Sequence, residues 1–315
     1  MRTAAWLGLL AAFLIPTASA VSQSVNILNV DGAGDTGQTC NAGQAVATSF
    51  VISSAFTNVT VSAPVLGLSA SGGMWLVRTQ LGPGTTISHV VQAQAYSSSS
   101  PFSLSGLSLS PGTYFFIINI DTGFAAWPGS TSPSVNAHPD ATVGLDFRVN
   151  SLAGFVPASN FGAILGQGRL HVSVVGEPAV TAFGTGCGSP VSSLAASVGS
   201  APVIGRNFST TIGGVQPGTV PLQSIGNSDR FLGSTPLPLN LSSSGMTGCF
   251  LYHNVFAHRP CTINGNGTAT NVIGIPNDSA LVGQTLFMQS FVIGGTPNPL
   301  GVVSTNALRI IIVQS

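Results

Sequence analysis

Four residues in the second half of the chain have the types of a zinc site: Cys249, His253, His258 and Cys261, spaced as C-x3-H-x4-H-x2-C. Thiolate and imidazole are the common ligands of tetrahedral zinc. On a regular strand Cys249, His253 and Cys261 share one face while His258 points to the other, so convergence needs a turn or bulge. The spacing matches no common finger. The preferred reading is a disulfide at one of these cysteines with the histidines on a hairpin, and no metal is assigned. The loop Asp31-Gly-Ala-Gly-Asp35, with Asn41 nearby, could turn oxygen ligands toward calcium, because glycine lets backbone carbonyls fold inward. It lacks the acidic spacing and terminal glutamate of an EF-hand, and a solvated turn is preferred.

Hydrolytic chemistry is thinly provided for. No Gly-x-Ser-x-Gly elbow occurs, Gly67-Leu-Ser-Ala-Ser71 failing at its last position, and there is no His-Glu-x-x-His. A glycosidase pair would have to be drawn from seven aspartates and Glu177. His89, His138 and His171 could each join a serine and an aspartate in space, but serine is so abundant that chance supplies partners. No catalytic residue is assigned. Trp127, in Asp121-Thr-Gly-Phe-Ala-Ala-Trp-Pro-Gly-Ser130, sits among turn residues after the strongest strand pattern. From a loop its ring could stack on a sugar while Asp121 and Asn119 bond the hydroxyls. Core use is the stronger reading of that ring, and stronger again for Trp75 in Met74-Trp-Leu-Val77. If the first half binds a ligand, Trp127, Asp121 and Asn119 are the residues nominated.

The elements that must position these groups read as β throughout. Charged residues make up 5% of the 315 residues, eight arginines against eight acids, with no lysine. An average soluble protein has about 25%. Clustered cations are missing, which argues against nucleic acid as a partner. With 39 glycines and 20 prolines the chain is rich in turn residues and poor in helix formers. Residues 1–20 read as a secretory signal: Arg2, the apolar run Ala4 to Ile15, and Ala18-Ser19-Ala20 ahead of cleavage near Val21. No later run is long enough to span a bilayer. Cys40, Cys187, Cys249 and Cys261 follow the leader, and in an oxidising compartment they allow three pairings that the residues alone leave open.

Strand-length runs are expected at 24–30, 46–52, 56–62, 74–80, 87–96, 107–121, 143–149 and 169–175. The segment 107–121 is the clearest, with alternation, a Pro-Gly turn and a long β-branched and aromatic strand. Runs resume at 207–212, 219–225, 237–241, 249–256, 268–275, 285–293 and 307–313. No window carries an amphipathic helix. Two tandem antiparallel β-sandwiches are expected, 21–178 in jelly-roll style and 179–315 as a second unit, with Phe183-Gly-Thr-Gly-Cys-Gly-Ser-Pro190 near the seam.

Phe183-Gly-Thr-Gly-Cys187, Leu237-Pro-Leu-Asn-Leu-Ser-Ser-Ser-Gly-Met-Thr-Gly-Cys249, Ile275-Pro-Asn-Asp-Ser-Ala-Leu-Val-Gly283 and Asn298-Pro-Leu-Gly-Val-Val-Ser-Thr-Asn-Ala307 carry a family resemblance. The chain from about 183 to 315 resembles a glycine-rich β module found near the C-termini of exported proteins of planctomycete-type bacteria. That resemblance implies an accessory domain and transfers no catalytic residue. It also implies a Cys187–Cys249 pair, because the two Gly-Cys motifs occur together in that family; Cys261 departs from the pattern. Pro111 to Trp127 resembles, more vaguely, exported bacterial β-sandwich domains in which a Pro-Gly-Thr-Tyr strand precedes a Trp-containing loop.

The functional expectation is a secreted, non-catalytic bacterial protein outside or at the cell surface. It would bind a neutral polysaccharide or cell-surface polymer, since scarce charge favours an uncharged ligand. The alternatives are a self-associating structural envelope or matrix protein, with sheet edges available for pairing, and behind it a secreted hydrolase. No cofactor is expected.

Overall fold

The computed structural model describes residues 23–97, 102–294 and 298–314. The expected leader at 1–20 and its cleavage point lie outside the described residues. The fold is all-β: every strand pairing is antiparallel, and apart from four short 3-10 turns no helix occurs among the described residues.

The first half contains β1 (Val25–Asp31), β2 (Thr36–Asn41), β3 (Gln44–Ile52), β4 (Phe56–Ala63), β5 (Leu66–Arg78), β6 (Val90–Ser97), β7 (Phe102–Leu109), β8 (Gly112–Ser130), β9 (Ser134–Ala137), β10 (Ala141–Val149), β11 (Gly162–Ala163), β12 (Arg169–Leu170) and β13 (Val172–Pro178). They form a five-stranded sheet, β7-β4-β13-β1-β9, and an eight-stranded sheet, β11-β10-β3-β8-β5-β6, in which β2 and β12 also pair with β8. Alternation along β8 explains the layering. Tyr114, Phe116, Ile118 and Ile120 enter a core shared with Ile27, Phe56, Leu104 and Val174 of the five-stranded sheet. Phe115 and Ile117 point the other way, into a second cluster with Ala45, Ala47, Val77 and Val149, covered by Leu152, Val156 and Phe161 from the loop after β10. Each such Phe or Ile contributes about 1.5–3 kcal/mol through burial. The Pro-Gly turn before β8 is pinned by the Tyr114 hydroxyl, which donates to the Ser110 carbonyl at 2.6 Å, a corner device of antiparallel sandwiches.

The second half contains β14 (Val180–Phe183), β15 (Ser193–Ala196), β16 (Asn207–Gly213), β17 (Val220–Gly226), β18 (Phe231–Leu232), β19 (Thr235–Pro236), β20 (Leu239–Asn240), β21 (Phe250–Leu251), β22 (Ala257–Pro260), β23 (Thr262–Ile263), β24 (Thr268–Gly274), β25 (Thr285–Ile293) and β26 (Val302–Ile311). Its sheets are β14-β26-β25-β17-β22 and β15-β16-β24-β23, with two small ribbons. Among the described residues no sheet mixes strands of the two halves. One apolar cluster, including Phe208, Ile212, Met288 and Leu308, fills this half around Cys187 and Cys249, which are bonded to each other. The halves meet through small side chains, Ala55, Ala179, Ala201, Val203 and Val313. There the Ala179 amide donates to Ala55 O and the Ile311 amide to Ala179 O.

Two sequence expectations are corrected. The runs 237–241 and 249–256 are not full strands; only β20 and β21, two residues each, pair there. The chain is diverted by the Cys249 bridge and by Asn254, whose side chain accepts from the amides of Asn227 and Ser228 in place of a ladder. The segment 121–130 is not a loop. It continues β8 and pairs with β2, Trp127 opposite Gln38.

Candidate functional site

That continuation decides the fate of the nominated sugar site. Gly123 sits at φ +76, a left-handed residue in mid-strand, and the register of β5 against β8 shifts beside it. A bulge of this kind moves every later side chain to the opposite face. Trp127 therefore leaves the face of Asn119 and Asp121 and enters the main core at 3% exposure. Its ring meets Phe116 edge-on and its Nε1 donates to the His171 carbonyl at 2.7 Å. The nomination of Trp127 as a stacking platform is overturned by this burial. Asn119 is buried as well and committed to neighbours: its Oδ1 accepts from Trp75 Nε1, its Nδ2 donates to Asp121 Oδ1, and its carbonyl accepts from Tyr96 Oη, each at 2.8 Å. Asp121 stays exposed, tied to Asn119. Trp75 is half-buried against Phe155, on the outer face of the eight-stranded sheet.

The cysteine and histidine set is dispersed. Cys249 is bonded to Cys187 with Cα atoms 5.2 Å apart, as the family resemblance implied, while Cys40 and Cys261 are free thiols. His253 is fully buried, its Nε2 3.1 Å from Ser224 Oγ and its Nδ1 against the Asn254 carbonyl. Burial pushes this imidazole down to about 4. His258 is exposed on β22. In the Asp31–Asp35 loop the two carboxylates serve separate ends. Asp31 Oδ1 accepts from the Gly32 amide at 2.8 Å, and Asp35 accepts from the Thr131 hydroxyl and amide, which lowers its pKa. Among the described residues no group of three or more His, Cys, Asp or Glu side chains is assembled as for a metal.

The histidines considered for a triad differ in their surroundings. His89 accepts the Thr86 amide on Nδ1 at 3.0 Å. His171 is buried with Nδ1 3.7 Å from Asp31 Oδ1. His138 lies beside an aspartate and a serine at a cleft of about 300 Å³ between the halves. Two turns build its polar side. In His138-Pro139-Asp140-Ala141 the Ala141 amide donates to His138 O at 2.8 Å, a turn that proline favours at its second position. The link between β3 and β4 docks on it: the Ser53 amide donates to Asp140 O at 2.8 Å and the Ser54 hydroxyl to Asp140 Oδ2 at 2.6 Å. The Asp140 amide donates to His138 Nδ1 at 3.2 Å, so the neutral ring keeps its proton on Nε2. Phe56 holds the ring edge-on.

The opposite wall is mostly apolar: Val180, Ala182, Ala195, Ala196, Pro202 and Leu308 from the second half, with Ser200 among them. The serine bonds the carboxylate and not the imidazole, the wrong order for a base to take a serine proton. The Asp140 side chain is 39% exposed and that of His138 28%. A carboxylate has about four lone-pair sites, so Asp140 keeps acceptor capacity toward the cleft. Sequence reasoning named His138 but not Ser54 or Asp140. The His-Pro-Asp turn was the available local signal; the serines and the apolar wall lie far away along the chain.

Neither a protein-family model nor a curated protein sequence matches this chain.

Proposed function

We propose that the chain is a secreted, non-catalytic protein of two tandem β-sandwich modules, 21–178 and 179–315. It works outside the cell or at its surface, and it binds a neutral polysaccharide or cell-surface polymer in the cleft between the modules. The observation that carries this reading is the composition of the cleft: an apolar wall facing one partly used carboxylate and one N–H donor. A sugar ring presents C–H faces to the first and hydroxyls to the second, the usual division of labour in ligand sites. The internal disulfide and the lack, among the described residues, of any helix long and apolar enough to cross a membrane are compatible with an extracellular place. Affinity electrophoresis through gels containing neutral glycans tests it. The chain should be retarded by at least one neutral polymer, and Asp140→Ala should abolish the retardation while leaving the far-UV spectrum native. Passage unretarded through a broad neutral panel defeats the proposal.

A second reading rests on β6. This eight-residue strand, Val-Val-Gln-Ala-Gln-Ala-Tyr-Ser, ends the eight-stranded sheet with neither charge nor proline, the devices that normally guard an edge. A structural, self-associating protein would use it. Sedimentation showing concentration-dependent assembly, broken by Gln92→Lys and Gln94→Lys together, would favour that reading over the first.

A further inference from the structure

A second pocket, of about 280 Å³, opens where β5 ends and β8 begins, and the tail of the second half reaches it through Gln314. We propose that it binds a single carboxylate carried on a polyhydroxylated ligand, of which a uronic acid residue is the simplest case. The inference goes beyond the neutral-polymer reading and stands on different residues.

Arg78 carries the argument. It is half-buried, and one N–H of its Nη2 donates to the Pro111 carbonyl at 3.0 Å. A guanidinium has five donors, so four remain. No carboxylate of the described residues forms a salt bridge with it. A partly desolvated cation without a counter-charge is stabilised by any anion brought to it, and its planar fork matches a carboxylate in two parallel hydrogen bonds. Gly112 leaves room beside the guanidinium, where a Cβ would stand 3.2 Å from Arg78 Nε.

The charge of the pocket selects a monoanion. His89 also lines it, and the Thr86 amide donates to its Nδ1, so Nε2–H is the donor the ring has left. One guanidinium balances one carboxylate and leaves a phosphate dianion half-compensated. Around it Thr79, Ser108 and the Gln314 amide supply the mixed donors and acceptors that sugar hydroxyls need. Thr79 is held at φ +80, costly for a β-branched residue and a feature that gathers at ligand sites. Its amide is fixed on the Thr113 carbonyl at 2.8 Å.

Isothermal titration with galacturonic acid, oligogalacturonate and galactose tests the proposal, the first two separating a free acid from a polymer-borne one. Either acid should bind, with galactose and Arg78→Gln each weakening affinity by about tenfold or more, as expected for lost hydrogen bonds to a charged group. Affinity should fall as salt rises. Equal binding of galactose and galacturonate, no binding of either acid, or unchanged affinity in a natively folded Arg78→Gln overturns it. Should Arg78→Gln fail to fold, Ser108→Ala and Gln314→Ala decide: both should weaken binding by roughly threefold or more, and unchanged affinity in both refutes the site. Asp140→Ala should leave this binding intact, so failure of the cleft reading and of this one are told apart.

Discussion

Removing the Cys187–Cys249 bridge should lower the melting point of the second half and leave the first half where it was. The bridge spans 62 residues of sequence, and a loop of that length withholds about 4 kcal/mol of entropy from the unfolded chain. For a unit of this size each kcal/mol moves the midpoint by roughly 2–4 °C, so the shift is about 10 °C. Both sulfurs are buried, at 7% and 1% residue exposure, so the double variant Cys187→Ala, Cys249→Ala is a surer perturbation than a reductant. The chromophores separate the halves. Trp75 and Trp127 both lie in the first half, and the second contains Tyr252 but no tryptophan. Tryptophan fluorescence therefore follows the first half while far-UV circular dichroism follows both. One dichroism transition should move down by about 10 °C with the fluorescence midpoint unchanged. A fluorescence midpoint that moves by the same amount would show the halves melting as one unit, coupled far more strongly than five small junction side chains imply. No shift in either signal would refute the loop argument itself.

Three further outcomes follow from buried groups and close contacts. His253 has a folded pKa of about 4, below its ordinary 6.5. The stability tied to its neutral form is complete above pH 6.5 and is lost as pH falls toward 4, about 3 kcal/mol in all. Urea midpoints of the second half should track that loss, and His253→Gln should flatten it; an equal slope in the variant removes His253 as the cause. Burial raises the Cys40 thiol to about 11 and also raises Cys261, which is only half-buried. Iodoacetamide at pH 8 should label Cys261 first and Cys40 only after denaturation, read by peptide mass mapping, and equal rates would contradict the burial of β2. Gly72→Ala would drive a Cβ into the backbone carbonyl of Asn119, whereas Gly154→Ala meets open space. The first should cost about 1–3 kcal/mol and the second under about 0.5, measured as urea midpoints by tryptophan fluorescence, and similar values for both would count against the tight β5–β8 approach.

The strands that the sequence made legible are those with an inner face to bury. The runs at 46–52, 56–62 and 285–293 are rich in apolar and β-branched residues, and they form β3, β4 and β25. β9 is exposed at all four positions and β2 buries only Gln38 and Cys40, so neither carries a periodic pattern. The disulfide was open among three pairings by residue count and became specific only through the family resemblance around Cys187 and Cys249. The cleft was illegible for a different reason. Ser54, His138 and Asp140 come from the turns beside strand ends and Leu308 from within β26, and such a site exists only once two turns of one half meet the apolar wall of the other.

Trp127 shows how a correct local pattern can still aim a side chain wrongly. From Tyr114 to Ile120 the alternation of β8 holds, with even positions in the main core and Phe115, Ile117 and Asn119 outside. Extended without interruption, it places Trp127 with Asn119 and Asp121, which is the geometry a sugar platform requires. Gly123 interrupts it, and one residue of left-handed backbone is enough to return Ala125 and Trp127 to the core. The Asp121-Thr-Gly123 sequence was therefore a bulge inside a strand and not the start of a loop, and the glycine was the signal for it. Moving the ring inward leaves only the half-buried Trp75 as a tryptophan with appreciable exposure among the described residues of the first half, and two of its polar groups line pockets, Asp140 in one and Arg78 in the other. Both places are completed by the second half, through Leu308 and Gln314. On this geometry separating the halves should abolish binding in the cleft and weaken galacturonate binding by roughly threefold, even if each half folds alone, and a first half that still bound galacturonate with full affinity would show that Gln314 takes no part.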